Sequence, residues 1–124
     1  MKKVIETSNA PNSTSPVSQG TAGGGLVFVG GQMPRDMDSG RIVDGALAQA
    51  RLSLRHCETI LQAAGSGLEK ATLAIVYVTD LSAKSAVNVA FEEAFGSSPP
   101  ARNLVEVKDI GEGAIVEVGV IALA

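Results

Sequence analysis

The sequence has few aromatic residues, one cysteine and one histidine. Its 124 residues include no Trp, one Tyr and three Phe, so any core has to be built from aliphatic side chains. A single Cys excludes an internal disulfide, and one Cys with one His cannot supply the three or four ligands of a zinc site. We therefore expect no bound metal.

Positive charge and long apolar runs are also scarce. Ten Lys and Arg against thirteen Asp and Glu give a net charge of −3, which argues against nucleic acid as a partner because such a surface must neutralise many phosphates. No apolar run approaches the roughly 20 residues of a membrane helix. The segment from Met1 to Pro16 lacks the apolar region of a signal peptide. We expect a cytoplasmic protein that does not contact a membrane.

The length fits one domain over residues 1–124. The patterns predict, in chain order, strands over 2–7, 26–29 and 41–43, a helix over 46–64, a strand over 71–79, a helix over 83–95, and strands over 102–107 and 114–124. The strands over 71–79 and 114–124 are apolar at both alternating positions, which is typical of strands buried on two faces. This order predicts an α+β fold in which two helices cover one face of a mixed sheet. The other face should then be buried against another copy of the chain.

Glu117 is the only charged residue in the run Ala114 to Ala124. A carboxylate buried in such a strand needs partners or a raised pKa, because an isolated buried charge is costly. Two interpretations remain open. Glu117 lies at an edge where its side chain reaches water, or it handles a proton or a water molecule in a cleft.

Arg102 follows two prolines that stiffen the approach to a predicted strand. A guanidinium held there has the geometry to bind a carboxylate ligand through two hydrogen bonds. The alternative is an ordinary solvated arginine between a loop and a strand.

Other candidate groups give weaker evidence of a catalytic or cofactor-binding role. Cys57 occupies an apolar position of the first predicted helix, so we expect a packed thiol with His56 on the flank of the helix. The glycines at 23–25 and 30–31 do not precede a helix in the spacing of a nucleotide-binding loop. No cofactor is therefore expected.

Short motifs follow one another along nearly the whole chain. They are Asn9-Ala10-Pro11, Ser15-Pro16-Val17-Ser18-Gln19, Leu26 to Pro34, Gln49-Ala50-Arg51, Ala63-Ala64-Gly65, Val76 to Asp80, Val87-Asn88, Pro100-Ala101-Arg102, Val105-Glu106-Val107 and Ile115 to Val118. In this order the chain resembles the RidA/YjgF family of reactive-intermediate imine and enamine deaminases, which also carries the name L-PSP endoribonuclease. The resemblance implies a chorismate-mutase-like α+β fold and a homotrimer with clefts between its subunits.

The resemblance also implies roles for individual residues. Arg102 would bind the substrate carboxylate and Glu117 would position the hydrolytic water, with Asn88 beside them. Independently of the resemblance, we expect backbone groups around Gly31 and Leu104 to supply the remaining hydrogen bonds. The expected reaction is hydrolysis of a small 2-imino acid, the tautomer of an enamine such as 2-aminoacrylate, to a 2-keto acid and ammonia, with no cofactor.

The chain also departs from the common pattern of this family. Val17 stands where many members have Tyr, Gly30 where they have Ser, and Leu104 where they have Cys. These changes widen the expected pocket and make it more apolar, which leaves a larger catabolic enamine such as 2-aminomuconate as an alternative substrate. An RNA-directed endoribonuclease or translation inhibitor, and a non-catalytic binder of small carboxylates, are the alternatives from other classes.

Overall fold

One mixed sheet and two helices form the chain in the computed structural model, which describes residues 1–124. The strands are β1 (Lys3–Ile5), β2 (Gly20–Gly23), β3 (Leu26–Gln32), β4 (Ala71–Val78), β5 (Ala101–Glu106) and β6 (Val116–Leu123), and the helices are α1 (Ala46–Ala63) and α2 (Lys84–Phe95). The strand order is β1-β2-β3-β6-β4-β5. Only β4 and β5 are parallel, and α2 makes the crossover that a parallel pair requires. The predicted mixed α+β architecture is confirmed.

The first hairpin differs from the sequence prediction. The sequence predicts no strand between residues 7 and 26, but Gly20–Gly23 is a strand that pairs with both β1 and β3. The turn consists of Gly24 and Gly25 alone, with φ of +62° and +81°. Two successive residues in this left-handed region suit a tight hairpin and favour glycine at both positions. The strand has no β-branched run to mark it, so pairing on its two sides defines it.

The end of β3 and the segment that follows it also differ from the sequence prediction. Instead of stopping at Gly30, β3 continues to Gln32, with an irregularity in its pairing to β6 between Val29 and Gln32. The strand predicted over 41–43 is wrong, because only one isolated bridge forms there, between Ile42 and Arg35. The polar turn before it leaves too few residues for a ladder.

Both helices pack on one face of the sheet. Helix α1 contributes Ala50, Leu54, Cys57, Ile60 and Leu61 to the core, α2 contributes Val87, Ala90 and Phe91, and β4 and β6 contribute Ala74, Val76, Val78, Val116, Val118, Val120 and Ala122. The three- and four-residue spacing in the helices and the alternation in the strands place these side chains together. The core is aliphatic apart from Phe91 and the Cys57 thiol, as the composition predicts.

The opposite face of the sheet is apolar and uncovered in the single chain. Phe28, Val105 and Leu123 are 41%, 46% and 51% exposed. Between them lie the half-buried side chains of Leu73, Ile75, Tyr77 and Ile121. Monomeric proteins rarely leave such a continuous apolar surface in water. Neither helix is long and apolar enough to cross a membrane.

Candidate active site

Arg102 lies near the start of the edge strand β5, where the two prolines bring the chain into an extended path. It pairs in register with Ala74 of β4, which is buried under the helices, so its side chain points to the helix face. The Nη2 atom donates a hydrogen bond to Oδ1 of Asn88 at 2.9 Å, and Cζ lies 4.9 Å from the centroid of the Phe91 ring. These two residues of α2 hold the guanidinium in one orientation.

The Arg102 guanidinium retains donors for a ligand. Arginine has five N–H donors, and Asn88 accepts from one of them. No carboxylate of the chain lies within ion-pair distance, since the two ion pairs join Arg35 to Glu112 and Arg51 to Glu93. A cavity of about 280 Å³ opens beside Arg102, with walls from α2 and the two prolines. This cation is therefore oriented and free to bind an anion.

Leu104 lies two residues further along β5 and on the same face of the strand. It is half-buried and packs against the hydrophobic core. Its side chain does not line the cavity beside Arg102.

Glu117 lies on β6 and belongs to the opposite face of the sheet. It pairs in register with Tyr77 of β4, whose neighbours Val76 and Val78 are the residues buried under the helices. The carboxyl is half-buried, and its loss of solvent raises its pKa above the usual value. A partly buried carboxyl whose pKa is raised in this way is suited to taking up and releasing a proton.

Glycine at position 31 leaves room for the Glu117 carboxylate. A Cβ atom at Gly31 would lie 2.6 Å from Oε1 of Glu117, well inside van der Waals contact. The carboxylate is therefore seated directly against the backbone of β3. The structure brings together these two predicted site residues, which lie 86 positions apart in the sequence.

A second and larger cavity, of about 550 Å³, opens next to Gly31. Val17 lines it, and so does Gln19, which the sequence placed in a motif without assigning it a role. Arg35 and Glu112, which the sequence did not single out, also line it. Gln19 is buried, and its Nε2 donates to the carbonyls of Thr7, Ala10 and Pro11, which fixes the N-terminal loop over the cavity. The only indication of this role in the sequence was the position of Gln19 in the Ser18-Gln19-Gly20 segment. Arg35 and Glu112 sit in loops without periodicity and gave none.

The two groups of predicted site residues do not meet within one chain. Arg102 and Asn88 lie on the helix face at the β5 edge, whereas Glu117 and Gly31 lie toward the other face, with β4 between β5 and β6. A site that uses both groups therefore needs Arg102 from one copy of the chain and Glu117 from another.

His56 and Cys57 take no part in either group. His56 was expected on the flank of α1 but is 3% exposed, and burial lowers its pKa. Its Nε2 lies 2.7 Å from the carbonyl oxygen of Arg35. Because a carbonyl oxygen only accepts, this nitrogen carries the proton. The Cys57 thiol donates to the carbonyl of Val118 at 3.3 Å, and burial raises its pKa, so it is a core residue as predicted.

Comparison with known proteins places these features in a family. The profile of Endoribonuclease L-PSP matches residues 7–124. A RutC family protein of Pyrococcus horikoshii is 38% identical over 123 residues, 98% of each chain. The 2-iminobutanoate/2-iminopropanoate deaminase of Salmonella typhimurium is 35% identical over 126 residues, covering 99% of this chain and 98% of that protein.

Solved structures agree with these relatives. The Rid family protein YyfA of Yersinia pestis superposes with a TM-score of 0.95 at 34% identity over the full length of both chains. The structure of TdcF from E. coli with bound serine superposes with a TM-score of 0.91 at 32% identity over 98% of each chain. The chain therefore belongs to the Endoribonuclease L-PSP family, the same RidA/YjgF family that its sequence motifs resemble.

Proposed function

We propose that the protein is an imine deaminase that hydrolyses small 2-imino acids to 2-keto acids and ammonia. The observation that carries the proposal is the Arg102 guanidinium, which Asn88 and Phe91 orient but no carboxylate of the chain neutralises. Such a group binds the carboxylate of an imino acid through two charge-assisted hydrogen bonds. The Salmonella relative named for this chemistry and the serine in the TdcF structure, a small carboxylate ligand, support the assignment.

Glu117 supplies the proton transfers in this mechanism. The carboxylate takes a proton from a water molecule as the water oxygen bonds to the carbon of the protonated imine, which gives a neutral tetrahedral carbinolamine. The carboxyl then returns this proton to the amine nitrogen. As the carbon–nitrogen bond breaks, the carboxylate takes the hydroxyl proton, so the carbonyl forms and ammonia leaves. That proton finally passes to ammonia, which restores the carboxylate. The raised pKa favours these transfers, because the group is then a better base and is readily protonated in turn.

The functional unit is a homotrimer in this proposal. The uncovered apolar face of the sheet needs a partner, and the separation of Arg102 from Glu117 requires two copies for each site. A closed ring of three copies gives every cleft the same pair of half-sites.

The test generates imines with an amino acid oxidase and follows their loss with and without the protein. We expect the protein to accelerate the loss and Arg102→Ala to reduce kcat/KM on the order of 100-fold, since two hydrogen bonds to a charged group are lost. Arg51→Ala is the matched control, because Arg51 is a surface arginine that pairs with Glu93 away from both cavities. No acceleration, or full activity of Arg102→Ala, would show the proposal to be wrong. RNA cleavage by the purified protein that disappears in Arg102→Ala would favour the endoribonuclease alternative.

A further inference from the structure

Two charged residues on the wall of the larger cavity form an ion pair that the proposed mechanism does not use. Arg35 lies in the loop between β3 and α1, and Glu112 lies in the loop between β5 and β6, so the pair joins two segments 77 positions apart. Both line the cavity with Val17 and Gly31, beside the seat of the Glu117 carboxylate. A substrate side chain that enters this cavity beside Gly31 therefore shares its walls with the pair.

Arg35 is held in place from several directions. Its Nη1 donates to the carbonyl of Gly40 at 2.7 Å, and its Nη2 donates to Oε2 of Glu112. Its own carbonyl accepts the hydrogen bond from the buried His56 ring. The guanidinium is thus fixed against Glu112, and the Glu112 carboxylate neutralises its charge.

The charges around the cavity leave no free cation for a second anionic group. Its lining contains one basic residue, Arg35, and two acidic residues, Glu6 and Glu112. In the proposed mechanism Arg102 is occupied by the carboxylate next to the imine carbon. A second carboxylate would therefore meet an arginine that Glu112 already neutralises and one further acidic residue, Glu6. At about 5 Å a like charge reduces binding roughly fourfold in water, and more where water is excluded.

The size of the cavity makes this charge relevant to selectivity. About 550 Å³ lies in the range of pockets that hold drug-sized ligands and leaves room for a side chain longer than a methyl group. Resting on the proposed function, we infer that the Arg35–Glu112 pair determines which side chains are accepted: it selects imino acids with an uncharged side chain and rejects those with a second carboxylate. This selectivity disfavours a dicarboxylate such as 2-aminomuconate as the substrate.

The experiment compares imines made by oxidases from leucine and from glutamate, and measures the ratio of the two kcat/KM values. For the unaltered protein we expect the leucine-derived imine to be favoured tenfold or more. Glu112→Gln keeps an oxygen for the hydrogen bond but leaves the guanidinium charge unbalanced, so the ratio should shift at least tenfold toward the glutamate-derived imine. Arg35→Gln leaves Glu112 unbalanced and should shift the ratio the other way. Glu69→Gln removes one exposed carboxylate outside the cavity and should leave the ratio as it is.

The outcomes separate this inference from the proposed function. Turnover of the leucine-derived imine with a ratio that neither variant moves overturns the inference and leaves the function standing. If no imine is turned over, the function is wrong. The inference is then decided by calorimetric binding of 2-oxoglutarate and 4-methyl-2-oxopentanoate, whose affinity ratio has to shift in the same directions in the two variants. Thermal unfolding of each variant checks its folding, and Arg35→Gln carries the test if Glu112→Gln does not fold.

Discussion

Two inactive variants of this protein should restore activity when they share an assembly. Arg102→Ala removes the guanidinium on the helix face, and Glu117→Gln removes the carboxylate on the opposite face. Each variant keeps the half-site that the other has lost. If every cleft combines Arg102 of one copy with Glu117 of the next, a mixed trimer contains clefts in which both residues are intact.

The recovered activity follows from the symmetry of the ring. After equal mixing, a cleft is intact when the copy that supplies Arg102 carries the Glu117 substitution and its neighbour carries the Arg102 substitution. Each condition holds for half of the copies, so about one quarter of the clefts are intact. Trimers that contain both variants have one intact cleft, so about one third of wild-type activity is expected for them.

The assay unfolds the two variants in guanidinium, refolds them together and measures imine hydrolysis. Two different affinity tags allow the mixed trimers to be isolated. Each variant refolded alone, and the two mixed without unfolding, should stay inactive. Mixed trimers that carry both tags but show no activity would refute a cleft shared between copies, because a site built within one chain cannot be restored in this way.

The remaining predictions concern the candidate site and the hydrophobic core. Gly31→Ala places a methyl group 2.6 Å from Oε1 of Glu117, so kcat/KM should fall on the order of tenfold because the carboxylate is displaced. The control is Gly30→Ala, whose added methyl has its nearest neighbour at 3.6 Å and which should have nearly wild-type activity. Equal effects of the two substitutions would contradict the packing of Glu117 against Gly31. Burial raises the pKa of Glu117, so kcat/KM should rise with pH through a midpoint above the usual value of about 4.3; a profile without this limb would contradict the role of Glu117 as the base. A raised folded-state pKa gives stability that is lost as the pH rises through it, so Glu117→Gln should melt at a higher temperature than wild type at neutral pH and at the same temperature in acid. The Cys57 thiol is fully buried with a raised pKa, so a disulfide reagent should modify it only after unfolding; rapid labelling of the native protein would contradict its place in the core.

Patterns within single elements were sufficient to predict most of the fold. The apolar spacing that runs through Leu54, Cys57 and Leu61 locates α1, and the alternation in β4 and β6 locates the centre of the sheet. The strand β2 was missed because Gly20–Gly23 has no side-chain pattern of its own and becomes a strand only by pairing on both sides. The strand expected at 41–43 has the apolar residues of a strand but does not form one, because its only pairing is the single bridge between Ile42 and Arg35.

The candidate site could likewise be predicted only in part from the sequence. A charge in an apolar strand singled out Glu117, and two prolines singled out Arg102. Their positions on opposite faces depend on the register of β4 with both of its neighbours, which no local pattern contains. The pairing of Arg35 with Glu112 depends on two loops that meet only in the folded chain.

The strand order has a consequence for synthesis on the ribosome. The last strand in the chain, β6, lies between β3 and β4 in the middle of the sheet. Until its residues emerge, the hairpin strands β1 to β3 and the unit of β4, α2 and β5 have no strand to join them, and each exposes an unpaired edge. The nascent chain therefore cannot complete its core during translation of the first 115 residues. The core is therefore expected to close only after β6 has emerged from the ribosome, when this strand joins the two parts of the sheet.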